Sequence, residues 1–153
     1  MEEKINMVSP KFILGLLIFI LVFHIIASIN SWYWTYAWLD MPMHFLGGFW
    51  VAMVFFNFIN PKLQITDYKL LITLILVLGF VILIGVLWEF FEFLCDVFIS
   101  SKGYLEVAQQ GIADTISDLF FDLLGGLALL VVRRYFPKSN DAKIQQNKDY
   151  FPE

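Results

Sequence analysis

Long apolar runs, separated by short polar stretches, dominate the pattern of this chain. Each run is close to the roughly 20 apolar residues that an α-helix needs to cross a bilayer. The predicted spans are residues 12–29, 43–59, 70–96 and 114–135. Turn-forming pairs such as Asn60-Pro61 fall between the runs. The pattern predicts an all-α fold, a polytopic membrane protein with a four-helix transmembrane bundle.

The polar ends of the chain divide it into three parts. Residues 1–11 form a short N-terminal segment, residues 12–135 a membrane domain, and residues 136–153 a polar tail. The tail lacks periodicity, which predicts disorder. The first apolar run follows Lys4 and Lys11, as in a signal peptide, but it is long and no small-residue cleavage site follows Ala27. We therefore interpret it as a retained first span.

Composition supports the membrane assignment. The 153 residues are 59% hydrophobic, with a mean hydropathy of +0.73, and a soluble domain of this size has too little interior for so much apolar surface. The lipid bilayer is therefore the expected partner. A net charge of −4 without a basic stripe excludes nucleic acid as a partner. A single cysteine, Cys95, excludes an internal disulfide.

Loop charges predict the orientation of the spans. Nine basic residues lie on one side: Lys4, Lys11, Lys62, Lys69, Arg133, Arg134, Lys138, Lys143 and Lys148. The other two loops hold only Lys102. Because cytoplasmic loops carry an excess of Lys and Arg, both termini are predicted to be cytoplasmic.

That orientation brings the acidic residues of the spans into one layer at the outer leaflet. Asp40 and His44 are four residues apart, as are Asp114, Asp118 and Asp122, so each set shares a helix face. His24 falls in the outer half of the first span, and Glu89 and Glu92 lie at the outer end of the third. Gly48 and Gly125 extend the faces of spans two and four, which favours close helix packing with the acids turned inward.

So many carboxylates at low dielectric cannot all stay ionised without protons or a cation among them. Our hypothesis is a divalent-cation site, with Mg, Mn or Ca favoured over Zn. The candidate metal ligands are Asp40, Glu89, Glu92, Asp114, Asp118 and Asp122, and the candidate catalytic residues are His44 and Glu92.

Simpler interpretations stand beside these candidates. Asp40 and Asp114 suit helix caps, Asp96 and Glu106 suit solvated loop charges, and His24 suits a hydrogen-bonded core residue. The aromatic stretch from Trp32 to Trp38 is typical of an interfacial belt.

Three functions remain open at this point. The acidic site holds a cation and assists hydrolysis or transfer on a lipid-linked substrate. Alternatively, the chain is a non-enzymatic accessory or binding protein whose buried acids specify helix packing. Transport of protons or cations is disfavoured, because the inner half of the spans offers only Asn57 as a strongly polar residue. The sequence does not decide between enzyme and binding protein, and it leaves the oligomeric state open.

Three motifs in order resemble the VanZ-like membrane proteins, and more closely the YjdF-type bacterial inner-membrane proteins. They are Asp40-x-x-x-His44-Phe45-x-x-Gly48, Glu89-x-x-Glu92, and Gln110-Gly111 followed by Asp114-Thr115-x-x-Asp118. The likeness covers residues 39–129. It implies a multi-pass protein of the bacterial cytoplasmic membrane, and it does not indicate which reaction, if any, the protein catalyses.

The chain also departs from that pattern. Met41 stands where the VanZ-like pattern has Lys, no Arg precedes the last acidic motif, and Asp122 stands where Asn is common. These differences remove positive charge from the site, which weakens transfer of a glycopeptide-resistance role.

Overall fold

Residues 8–63, 70–103 and 107–135, which the computed structural model describes, contain helices as their only regular structure. The α-helices are α1 (Pro10–Ile29), α2 (Trp32–Thr35), α3 (Asp40–Leu63), α4 (Leu70–Phe98) and α5 (Ile112–Tyr135). Short 3-10 helices at Ala37–Leu39 and Ser100–Lys102 precede α3 and follow α4.

Within the described residues, four helical segments are long and apolar enough to cross a membrane. They are Pro10–Ile29, Ala37–Ile59, Leu71–Lys102 and Ile112–Tyr135. The predicted all-α fold with four membrane-spanning helices is confirmed. The orientation of the termini stays a prediction. The tail at 136–153 and Glu106 lie outside the described residues.

The helix ends follow local sequence signals. Pro10 is the first residue of α1, where its fixed φ suits a helix start and its missing N–H is not needed. Ser31, with a φ of 53°, reverses the chain between α1 and α2. The Asn60-Pro61 pair was predicted to end the second span, and the candidate span does end at Ile59. The helix itself, however, continues to Leu63.

The apolar core lies between α3, α4 and α5. It is built from the buried side chains of Val51, Ala52, Met53, Phe56, Ile59, Val77, Val81 and Leu129. Phe55 stacks on Phe80 with ring centroids 4.3 Å apart, which joins α3 to α4. Many large apolar side chains point outward on all four long helices, as expected where the solvent is lipid.

Glycines bring α3 and α5 into backbone contact. A Cβ placed on Gly48 would overlap the backbone of Asp122, and one on Gly125 would overlap the backbone of Phe45. The two helices therefore approach more closely than side chains at these positions permit. Small residues serve this purpose in membrane helix pairs, because close packing replaces the hydrophobic effect as the source of association.

Helix α1 lies at the periphery. Ala27 is its only buried residue, and the helix packs mainly against α3. Two polar contacts join them near the predicted cytoplasmic end: Trp50 Nε1 donates to the Ile13 carbonyl at 2.9 Å, and the Asn57 side chain bonds both backbone groups of Val8. Asn57 thus has partners within the protein.

The two adjacent glycines of α3 give a matched test of the helix contact. Gly48→Ala forces a methyl group into the Asp122 backbone, so we expect a loss of about 1–3 kcal/mol in stability. Gly47→Ala meets only Asp122 Oδ1, at 3.9 Å, so we expect no loss or a gain of up to about 1 kcal/mol from reduced backbone entropy. Thermal unfolding of both variants in detergent measures the difference. Equal unfolding temperatures for the two variants would contradict the close contact.

Candidate functional site

The imidazole of His44 is surrounded by three carboxylates. Its Nε2 lies 3.7 Å from Asp40 Oδ1 and 4.0 Å from Asp118 Oδ1, and its Nδ1 lies 3.5 Å from Asp122 Oδ1. We call these four residues the His44 cluster. The predicted face of α3, with Asp40 and His44, thus meets Asp118 and Asp122 from the predicted acidic face of α5.

The helix contact positions this cluster. Asp40 and His44 are one turn apart on α3, and Asp118 and Asp122 are one turn apart on α5. Since Gly48 touches the Asp122 backbone, the turn carrying His44 lies directly beside the turn carrying the acids. Helix α4 also makes room, because a Cβ on Gly85 would lie 2.5 Å from Asp122 Oδ2.

The cluster is buried and incompletely hydrogen-bonded. Asp118 is 2% exposed, Asp122 6% and His44 7%. The second carboxylate oxygens of Asp118 and Asp122 are buried, and no described residue makes a hydrogen bond to them. Buried polar atoms normally have partners, so these oxygens call for a proton or a cation.

Three atoms of the cluster are close enough together to ligate one metal ion. One ligand atom each from Asp40, His44 and Asp118 fits within 4.8 Å of the other two. Two carboxylates and one imidazole form a mainly oxygen donor set, which suits Mg, Mn or Ca better than Zn. The residues present therefore fit a hard divalent cation.

Glu92 lies beside the cluster on α4. It is 7% exposed, and its Oε1 accepts a hydrogen bond from Trp88 Nε1 at 2.8 Å. It interacts electrostatically with Asp40, His44 and Glu89. Trp88 and Glu92 are four residues apart in the sequence, a helical spacing from which this contact could have been predicted.

Glu89 faces the loop that leads into α5. Its Oε2 is 3.3 Å from Gln109 Nε2, which also contacts Thr115 Oγ1 at 3.2 Å. Its other oxygen is buried without a hydrogen-bond partner among the described residues. Gln109 is thus a site residue that the sequence did not indicate, because its place depends on how the loop folds.

Asp96 holds that loop in place, so its interpretation as a solvated charge is wrong. Its Oδ1 accepts from the backbone N–H of Ala108 at 2.7 Å and its Oδ2 from that of Gln109 at 2.9 Å. The Ser100 hydroxyl donates to Oδ1 at 3.0 Å. A carboxylate at the end of α4 therefore satisfies the donors of a loop twelve residues away.

Asp114 is turned toward the same loop. Its Oδ2 accepts from the Gln110 backbone N–H at 2.9 Å, the kind of contact expected near a helix N-terminus. Asp40, in contrast, has helical backbone angles as the first residue of α3, and its carboxylate lies near His44.

The second histidine lies across from the first. His24 Nδ1 is 3.0 Å from the Tyr33 hydroxyl, and its ring packs edge-on against Trp88 at 5.5 Å. Burial raises the pKa of Tyr33, and the negative charges of Asp40 and Glu92 raise it further. Tyr33 therefore keeps its proton, and its hydroxyl is able to donate to Nδ1 of His24. Nearby, Trp34 Nε1 donates to the Val107 carbonyl at 3.0 Å.

Comparison with known proteins places the chain in a family. The family model described as "Predicted membrane protein (DUF2238)" matches residues 3–138. Because this match covers most of the 153 residues, the chain belongs to that family of predicted membrane proteins. The finer resemblance to VanZ-like and YjdF-type proteins stays a prediction.

One curated relative is similar over part of its length. A Thermotoga maritima protein described as an uncharacterised protein is 33% identical in a 98-residue alignment that covers 62% of this chain and 48% of the relative. The matched segment therefore spans about half of that relative. No solved structure matches the chain.

The contacts from Asp96 to the loop that contains Gln109 can be tested directly. Asp96→Asn retains one acceptor oxygen for two backbone donors, so we expect a loss of about 1–3 kcal/mol and faster amide exchange at Ala108 and Gln109. Hydrogen exchange with mass spectrometry measures this. Ser101→Ala is the control, because it removes a hydrogen bond to the Val97 carbonyl and leaves the Asp96 contacts intact. Unchanged exchange in Asp96→Asn would refute this role.

Proposed function

We propose that this member of the DUF2238 family binds a divalent cation in the His44 cluster and acts on a lipid-linked substrate at the outer leaflet. The observation that carries the proposal is the convergence of Asp40, His44 and Asp118 ligand atoms within 4.8 Å. Ionisable groups inside membrane spans are costly, and they are retained mainly where they serve a function.

The unpartnered oxygens support a cation over simple packing. Asp118 Oδ2, Asp122 Oδ2 and Glu89 Oε1 are all buried without hydrogen bonds from described residues. A bound cation attracts several such oxygens at once, whereas a proton satisfies only one of them. Asp40, His44 and Asp118 are the innermost ligands in this proposal, and Asp122, Glu89 and Glu92 supply surrounding negative charge. Asp114, whose Oδ2 accepts from the Gln110 backbone N–H, does not ligate the cation in this proposal.

A cation in this position supplies Lewis-acid chemistry, namely polarisation of a phosphoryl or carbonyl oxygen. Glu92 lies beside the cluster and interacts electrostatically with His44. It is therefore the candidate general base, and His44 serves as a ligand or as a second base. The reaction class that fits is metal-assisted hydrolysis or transfer.

The outer-leaflet location rests on the loop charges. Nine Lys and Arg residues flank the ends opposite to the cluster, and Lys102 alone lies on its side. With cytoplasmic termini, Asp40 and Asp114 start their helices at the outer surface, and Asp122 lies about 12 Å deeper than Asp114. The bacterial cytoplasmic membrane is the location that follows from the family resemblance.

A packing role is the competing function. The His44 imidazole itself lies within 4.0 Å of all three acids of the cluster, and polar contacts between helices help to hold membrane bundles together. In that case the protein is an accessory or binding protein, and an isosteric amide in place of one acid changes little.

Metal loading separates the two functions. Purified protein stripped with a chelator and then given Mn²⁺ at a hundredfold excess over Kd gains about 2.7 kcal/mol in stability, seen as a higher unfolding temperature. We expect Asp118→Asn to abolish the shift and Asp114→Asn, the matched control on the same helix, to keep most of it. Identical unfolding temperatures for stripped and loaded wild-type protein would leave only the packing role.

Cysteine labelling tests the orientation. In a Cys95→Ser background, Ser101→Cys should react with a membrane-impermeant maleimide on intact cells, because its loop is predicted to be extracytoplasmic. Ser9→Cys should react only after permeabilisation. Both serines are exposed. The reverse labelling pattern would move the His44 cluster to the inner leaflet.

A further inference from the structure

A cavity of about 180 Å³ lies between α1, α3 and α4, beside the His44 cluster. One part of its lining is polar, with His24, Asp40, His44, Glu92 and Asp122. The rest is almost entirely apolar. Leu17, Ile20 and Leu21 line it from α1, and Val51, Val81 and Ile84 line it from α3 and α4.

The two parts of the lining are separated along the helix axes. His24 and Leu17 are seven residues apart on α1, as are His44 and Val51 on α3, a distance of roughly 10 Å in each helix. The polar end therefore lies at the His44 cluster and the apolar end at the middle of the membrane domain. A ligand that fits both ends has a polar head and an apolar chain.

Gly47 leaves space on the α3 side of the cavity. Gly47 and Gly48 line the cavity on α3, and Gly85 lines it on α4. A Cβ on Gly47 would meet only Asp122 Oδ1, at 3.9 Å, so no packing contact of α3 requires glycine there. At the polar end, the ring contact between His24 and Trp88 joins α1 to α4.

His24 provides a donor opposite the cluster. Its Nδ1 is held by the Tyr33 hydroxyl at 3.0 Å. When Tyr33 donates to Nδ1, the neutral ring carries its proton on Nε2 and can donate it to a ligand. With a cation held by the His44 cluster, the polar end would have positive charge on one side and a donor on the other, which would complement an anion such as a phosphate ester.

We propose that this cavity binds the hydrocarbon chain of a single-chain amphiphile whose anionic head lies between His24 and the His44 cluster. The inference rests on the proposed function for the head group, since without a cation the carboxylates repel an anion. It adds the cavity as the part of the protein that binds the hydrocarbon chain of the ligand. It also assigns His24, a residue outside the predicted site, to head-group binding.

Photolabelling directly tests the apolar part of the cavity, which we call the chain subsite because it binds the hydrocarbon chain. The probe is dodecyl phosphate with a diazirine on its alkyl chain, added with Mn²⁺ to the full-length protein in lipid nanodiscs. We expect adducts on cavity-lining residues of α1 and α4, competed by unlabelled dodecyl phosphate at a much lower concentration than by inorganic phosphate. Adducts spread over the outward face of α1, or equal competition by the two compounds, would overturn the proposal.

Two substitutions on α1 form a matched pair. Ile20→Trp fills the cavity, and we expect labelling to fall about tenfold, equivalent to about 1.4 kcal/mol. Ile18→Trp adds the same ring on the outward face, where Ile18 is 52% exposed, and should leave labelling unchanged. Leu21→Trp, at a cavity-lining position that is 43% exposed, repeats the test if Ile20→Trp fails to fold. Labelling that persists in the cavity-filling variants refutes the subsite.

Metal loading keeps this inference distinct from the proposed function. Ile20→Trp should retain the Mn²⁺-induced rise in unfolding temperature, because its ring lies toward the apolar end. If wild-type protein shows that rise but dispersed labelling, the chain subsite alone is wrong. If labelling is confined to the cavity and sensitive to Ile20→Trp while no Mn²⁺ effect occurs, the subsite stands and the cation site is wrong.

Discussion

The contact of bare backbone between α3 and α5 is the constraint on which the rest of this structure depends. Gly48 lies against the Asp122 backbone and Gly125 against the Phe45 backbone. A histidine on one helix can reach carboxylates separated by a full turn on the other only when the helices are this close. The glycines therefore shape the site indirectly, by setting the separation between the helices at which His44 meets Asp118 and Asp122. Because the ligands come from helices, their positions are defined more sharply than loops allow.

The cluster gathers acidic side chains inside a helix bundle, where buried charge is costly. Three carboxylates surround one imidazole, and Glu89 and Glu92 lie nearby on α4. The oxygens without partners lie on the acids that are most buried. A network that is only partly satisfied costs more than an apolar core of the same shape. Its presence in so small a protein therefore favours a role for the charge itself.

Helical spacing made much of this site predictable from the sequence. Residues four apart share a face, which is why Asp40 joins His44 and why Asp118 joins Asp122. The glycines on those faces indicated which sides would meet. Spacing cannot show contacts made across a loop, such as those from Asp96 to Ala108 and Gln109. The pairing of His24 with Tyr33 was equally hidden, because it depends on the chain reversal at Ser31.

The peripheral place of α1 has an evolutionary consequence. Helices α3 and α5 touch at Gly48 and Gly125, where an added side chain would overlap the backbone of the other helix. Helix α1, in contrast, buries only Ala27. Substitutions at the exposed positions of α1 therefore cost the fold little, and Leu17, Ile20 and His24 of the same helix form one wall of the cavity. Related proteins can diverge in what they recognise by drift in a single helix while keeping the buried cluster intact. The molecule thus separates the helices that hold the buried cluster from the helix that forms one wall of the cavity.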